Sequence, residues 1–124
     1  MLENVKVLEH PVLSHKLGLL RNVETNDSDF RRIMSELSRL IAFEATKDLK
    51  VAEKVVKTPL ADANCIMIEE RPIVVSIMRA GNGMIDAILS MLPFASAGHI
   101  GIYRDKFIDS TVEYYFRLPK KVEG

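Results

Sequence analysis

An α/β fold built on a parallel sheet is what the sequence predicts, and three observations predict it. The run Ile73-Val74-Val75-Ser76-Ile77-Met78 is apolar and rich in β-branched residues, short enough for a buried strand, and it ends abruptly at Arg79-Ala80-Gly81-Asn82-Gly83. Directly after it, Met84, Ile85, Ala87, Ile88, Met91 and Leu92 recur at helical spacing until Pro93 stops the pattern. A second strand is expected over 99–103, and it leaves through Arg104-Asp105. Ligands in an open parallel sheet sit beyond the carboxyl ends of the strands, so Arg79 and Arg104 are expected at one crevice. Read without a ligand, they are two surface charges.

The preceding elements follow in order. Val5, Val7 and Leu8 make an extended lead, and Pro11 suits a first helical position, giving a helix to about residue 22 with Leu13, Leu17 and Leu20 on one face. His10 and His15 are five apart, not four, and no acidic third ligand accompanies them, which argues against a metal site. Asn26 and Asp29 have the spacing of a loose capping box and open a helix over 27–48. Along it Phe30, Ile33, Met34, Leu37, Leu40 and Ile41 repeat with helical period, opposite a charged face of Arg31, Arg32, Glu36 and Arg39 that is either solvated or turned to a partner chain.

Residues 51–57 alternate as a strand, with Val51, Val55 and Val56 expected inside and Pro59 ending it. An apolar burst at 65–68 and the polar break Glu69-Glu70-Arg71-Pro72 lead into the central strand. Past the second strand, 106–110 read as a polar turn and 111–118 as a third strand, one leg of a hairpin arm over the site. Tyr114, Tyr115 and Phe116 alternate faces there, which suits packing better than a stacking platform.

Composition narrows the function classes. The 124 residues allow one domain at most, and 48% hydrophobic with 27% charged residues is the balance of a soluble globular chain. Seventeen basic residues offset 17 acidic ones, so no overall field favours nucleic acid or an acidic membrane, and an anion site has to be local. Cys65 is the single cysteine, which excludes an intrachain disulfide and a cysteine-based zinc site and fits a reducing cytoplasm. No secretory leader is read at the start, and no run reaches the ~20 apolar residues of a membrane span.

The chemistry lies at the glycine turn. The first turn of a helix leaves backbone N–H groups unpaired at the positive end of its dipole, and anions bind there. Gly81 and Gly83 are expected to take positive φ and to let a ligand approach the backbone, while Arg79 adds a forked, permanently charged donor. Asp86 stands where a dinucleotide fingerprint has its third glycine, and no Walker sequence occurs. A plain strand-to-helix turn with a solvated Arg79 is the alternative.

The stretch Ile77-Met78-Arg79-Ala80-Gly81-Asn82-Gly83-Met84 resembles the pyrophosphate loop of uracil phosphoribosyltransferases. So do, in the same order, His10-Pro11 with His15-Lys16-Leu17, Phe43-Glu44-Ala45-Thr46-Lys47-Asp48-Leu49, Gly101-Ile102-Tyr103-Arg104-Asp105 and Tyr114-Tyr115-Phe116-Arg117-Leu118-Pro119. The resemblance implies an incomplete phosphoribosyltransferase-type, Rossmann-like parallel sheet with an N-terminal helical arm and a β-hairpin arm. It would be one truncated domain, with the arm at 1–49, a strand and connection at 50–72, and a partial α/β core at 73–124.

The implied reaction joins uracil to phosphoribosyl pyrophosphate, giving uridine monophosphate and pyrophosphate, a step of pyrimidine salvage. Magnesium enters with phosphoribosyl pyrophosphate, with no protein ligands identified. Arg79, Ala80, Gly81, Asn82, Gly83 and Arg104 match the pyrophosphate contacts, and a strained backbone, a non-proline cis peptide included, is implied in the loop. The acidic loop that holds ribose and 5-phosphate and the segment that reads uracil are not found in this sequence; both are expected beyond Leu118. Asn82 replaces the usual apolar residue between the glycines.

The expectation is therefore a cytoplasmic N-terminal portion with half an active site, inactive alone. It should be a homo-oligomer joined through the 27–48 helix or the 111–118 strand, with no nucleic-acid or membrane partner. A non-catalytic anion-binding or oligomerisation module is the alternative.

Overall fold

The computed structural model describes residues 4–78, 81–105 and 110–117. Pro11–Arg21 is helix α1, with Pro11 in its first turn as expected. His10 is its N-cap, and its Nδ1 accepts from the Val12 N–H at 3.1 Å, so this histidine serves the helix end. Asp27–Ala45 is α2, capped by the Asn26 side chain, which accepts from the Asp29 N–H at 2.8 Å. Asp27 and Asp29 stand in its first turn, where the helix dipole favours negative charge.

Helix α2 has two apolar faces. The single stripe expected from the sequence is split, because Ile33, Leu37, Ser38 and Ala42 are buried while Phe30, Leu40 and Ile41 stay exposed. The buried set packs on Asn82–Met91, helix α3, whose Ile85 and Ala87 join it in the core with Leu92 just beyond. Small side chains at Ser38, Ala42 and Ala87 let the two helices approach, and the Ser38 hydroxyl is satisfied by donating to the Met34 carbonyl at 2.7 Å. The other face of α2 meets α1 and the lead, enclosing a groove of about 530 Å³ lined by Leu8, Leu13, Leu40 and Phe43.

Val51–Lys57 (β1) and Asp62–Ile68 (β2) form an antiparallel hairpin. The apolar burst at 65–68 is thus the end of a full strand. Val51 and Val55, expected inside, are exposed, Val55 at 67%, and Ile66, the β2 partner of Glu53, is 73% exposed. The reason is that, among the described residues, the hairpin packs on no helix or other strand to any extent, so neither face meets a core.

The second sheet has the order β3-β4-β5, from Ile73–Met78 (β3), Ser96–Asp105 (β4) and Ser110–Arg117 (β5). Strands β3 and β4 are parallel, Ile73 pairing with Ser96 through to Met78 with Gly101, while β5 returns antiparallel against β4. β4 begins at Ser96, inside the stretch expected to be loop. β3 is not the buried strand that its sequence suggests. Its even positions face α3, with Ser76 only 4% exposed, whereas Val75 and Ile77 are 42% and 56% exposed on the opposite face. An apolar run without alternation suits a strand covered on both sides, and among the described residues only one side is covered.

Ion pairs tie the lead to α2. Glu44 accepts from Lys6 at 2.7 Å and from Lys47 at 2.8 Å, and Lys16 meets Glu36 at 3.1 Å. The hydrogen bonds from Lys47 and Lys6 hold the Glu44 carboxyl down to about 2, from an ordinary 4.5. A depressed carboxyl stabilises the fold above its unfolded pKa and loses that contribution as pH falls through the folded one. Acidification from about pH 4.5 toward 2 is therefore expected to release the lead from α2, seen as shifts in the amide signals of residues 6–8, and Glu44→Gln should abolish the transition. At the other end of α2, Asn26→Ala should cost about 1 kcal/mol in urea unfolding and Asn26→Gly only a few tenths.

Candidate functional site

The site is built at the carboxyl end of the parallel pair. β3 stops at Met78, the partner of Gly101, and β4 continues four residues further to Asp105. Arg104 belongs to that extension, paired with Thr111, about 10 Å along the strand from Gly101. A register shift between Gly101 and Ile102 marks where β4 leaves β3, the kind of irregularity that re-aims a strand near a functional site.

Gly81 is the N-cap of α3, and Asn82 and Gly83 are its first residues. The chain therefore enters the helix at the end of the sheet to which both parallel strands run. No side chain caps this helix, and among the described residues the N–H groups of Asn82 and Gly83 have no acceptor. Unpaired donors at a positive helix end are an anion's binding partners.

The two glycines act differently from the expectation of positive φ. Gly81 has φ −68° and ψ −16°, ordinary helical values, and Gly83 also lacks a left-handed backbone. At Gly81 the requirement is space: a β-carbon would lie 2.8 Å from the Ser76 hydroxyl oxygen, 2.8 Å from the Ile77 carbonyl oxygen and 2.9 Å from the Ile77 nitrogen. At Gly83 a β-carbon would meet nothing within 4 Å among the described residues, so the glycine leaves space above the helix end there. One glycine lets the loop sit down on β3, and the other lets something else approach.

Arg79 and Ala80 lie outside the described residues, and so does any strained peptide between Met78 and Gly81; the side chains of Asn82 and Arg104 do as well. The backbone from Gly81 to Gly83 and the extension of β4 that carries Arg104 both lie at the carboxyl end of the parallel pair. Two residues that the sequence does not single out stand beneath: Ser76, buried under Gly81, and His99, its register partner on β4. The Nδ1 atom of His99 is buried with no partner among the described residues. A polar residue interrupting each of two apolar strands was the available signal. No group of three His, Cys, Asp or Glu side chains able to hold a metal ion occurs among the described residues, and no described helix is long and apolar enough to cross a membrane.

Comparison with known proteins agrees with this geometry. The family model for uracil phosphoribosyltransferase matches residues 7–124. The chain is 44% identical over 120 residues to the uracil phosphoribosyltransferase of Legionella pneumophila strain Paris, covering 96% of this chain and 56% of that protein. With the Myxococcus xanthus uracil phosphoribosyltransferase the identity is 45% over 117 residues, covering 94% and 56%. A solved structure of an Aquifex aeolicus protein superposes with a TM-score of 0.81 at 33% identity, over 91% of this chain and 55% of that one. The chain thus spans about half the length of the curated relatives it matches, and it belongs to the uracil phosphoribosyltransferase family.

Proposed function

We propose that this chain carries the pyrophosphate-binding part of a uracil phosphoribosyltransferase, the enzyme of pyrimidine salvage that makes uridine monophosphate. The observation that carries the reading is the uncapped start of α3, set by Gly81 at the carboxyl end of β3 and β4. In the reaction a ring nitrogen of uracil forms a bond to C1 of the ribose, the C1–oxygen bond breaks, and pyrophosphate leaves with the electron pair. Uracil's proton is lost from the attacking nitrogen. Negative charge grows on the leaving group, so donors already fixed around it lower the barrier.

Here the backbone from Ala80 to Gly83, with the guanidinium groups of Arg79 and Arg104, supplies those donors. Magnesium belongs to the substrate, carried on the phosphates of phosphoribosyl pyrophosphate. The residues are read as one domain, with 1–49 an arm, 50–72 a connection built on the β1–β2 hairpin, and 73–124 the α/β core. A reducing, cytoplasmic setting fits the lone Cys65.

Turnover needs the second reactant held in line, and positioning is worth as much as ~7–11 kcal/mol of barrier. Sequences suited to the ribose phosphate and to uracil are not found in this chain, so binding without turnover is the behaviour proposed for it alone. The open face of Val75 and Ile77 and the bare hairpin support association with further protein, including a second copy. Exposed Phe43 on α2 supports the helix as part of such a contact.

Calorimetric titration of the purified chain should show magnesium pyrophosphate binding with a dissociation constant on the order of 1 mM, the strength of a few exposed charge-assisted contacts. Arg79→Ala should weaken it roughly tenfold, about the loss of one charged hydrogen bond. Labelled uracil with phosphoribosyl pyrophosphate and magnesium should yield no uridine monophosphate; product abolished by Arg79→Ala would show that this chain holds a whole active site. Light scattering at micromolar concentration should report a dimer or larger, and a stable monomer would remove the association.

A further inference from the structure

We infer that Ser76 is a positioning residue for pyrophosphate: its buried hydroxyl is the floor on which Gly81 rests, and it sets where the first N–H groups of α3 stand. The inference rests on reading Gly81 to Gly83 as the pyrophosphate loop and adds to it the residue that fixes the loop's height.

Ser76 is the one polar side chain in the apolar run of β3, and it is 4% exposed. A hydroxyl is buried without cost only where it has a partner, and Ser76 has one, so the serine is a polar residue with a task at this place and not a packing residue. Geometry gives that task. The hydroxyl oxygen lies 2.8 Å from the point where a β-carbon of Gly81 would be, level with the backbone oxygen and nitrogen of Ile77, at 2.8 and 2.9 Å. Serine and the Ile77 peptide together form the surface beneath the glycine, and that surface admits a hydrogen but no carbon.

Gly81 in turn is the hinge pin of the helix entry. Its N–H donates to the Ile77 carbonyl at 2.8 Å, and its own carbonyl accepts from the Met84 and Ile85 N–H groups at 3.1 and 3.2 Å. A displacement of Gly81 is therefore carried into the first turn of α3, where the N–H groups of Asn82 and Gly83 have no acceptor among the described residues. Donors that bind an oxyanion work within a narrow distance range, so moving the floor changes affinity without removing any group that touches the ligand.

The test uses the full chain and two readouts. Amide chemical shifts of Gly81, Asn82 and Gly83 report the loop itself, and calorimetric titration with magnesium pyrophosphate reports binding by the folded protein. Ser76→Ala should move those three amide signals and weaken pyrophosphate roughly 2- to 10-fold, the range of one hydrogen bond's worth of geometry. Gly81→Ala should weaken it more than tenfold, because its new methyl meets three atoms at contact distances that real β-carbons do not adopt.

The combination is diagnostic. Adding Ser76→Ala to Gly81→Ala removes one of those three atoms and should improve binding, although Ser76→Ala alone weakens it, a reversal that a merely stabilising serine would not produce. If Gly81→Ala does not fold, the Ser76→Ala amide shifts and affinity decide. Unmoved amides, or a folded Ser76→Ala that binds as well as the parent, overturn the role of Ser76 while leaving the site reading intact. A parent chain that binds no pyrophosphate overturns the loop reading, and this role with it.

Discussion

The seating of Gly81 on the end of β3 is the contact on which the rest of this structure depends. It joins the last turn of strand backbone, through the Gly81 N–H and the Ile77 carbonyl, to the first turn of α3, through the Gly81 carbonyl and two helix amides. A residue with a β-carbon would break the seat from below, since Ser76 and Ile77 already occupy the space. Because α3 starts there and nowhere else, its apolar side falls on α2, and Ile85 and Ala87 complete the core that Ile33, Leu37 and Ala42 begin. The same seat places the start of the helix, whose first N–H groups have no acceptor among the described residues, at the carboxyl end of the parallel pair. The packing of α3 and the placement of its uncapped start are consequences of one close approach.

The helices and the central strand were legible because local chemistry and tertiary packing agree there. Pro11, Asn26 and Pro93 punctuate helices whose ends the structure places within a few residues of those marks. The β1–β2 hairpin was only half legible. Alternation is a useful signal when one face of a strand is buried, and at this hairpin neither is, so Val51 and Val55 look like core residues and are not. For α2 the period was right and the face was not: a helix lying between α1 and α3 has two partners, and its apolar residues are shared between them.

At the site, the loop was visible and its support was not. Paired glycines after a strand announce a tight turn to a helix, but the same two letters hide two requirements, one steric at Gly81 and one of access at Gly83. No sequence pattern separates them, because the atoms that crowd Gly81 belong to the preceding strand, four and five residues earlier, and approach it only once the chain has turned into the helix. Ser76 is silent for the same reason. In one dimension it is a blemish in an apolar run, and in three it is the surface under the glycine.

Strand β3 shows how one short segment serves two purposes through its two faces. Val74, Ser76 and Met78 turn toward α3, where Ser76 is buried. Val75 and Ile77 turn the other way and are exposed, on a strand that among the described residues is also an edge of its sheet. Exposed apolar side chains beside unpaired edge backbone are a costly combination for a protein in water, since both invite further pairing. The relatives are nearly twice the length that this chain matches, so they have chain enough to cover such a face. Covering it would bring new backbone alongside β3, next to the strand end where Gly81 sits. The surface that most invites a partner among the described residues is thus the one beside the strand end where Gly81 starts α3.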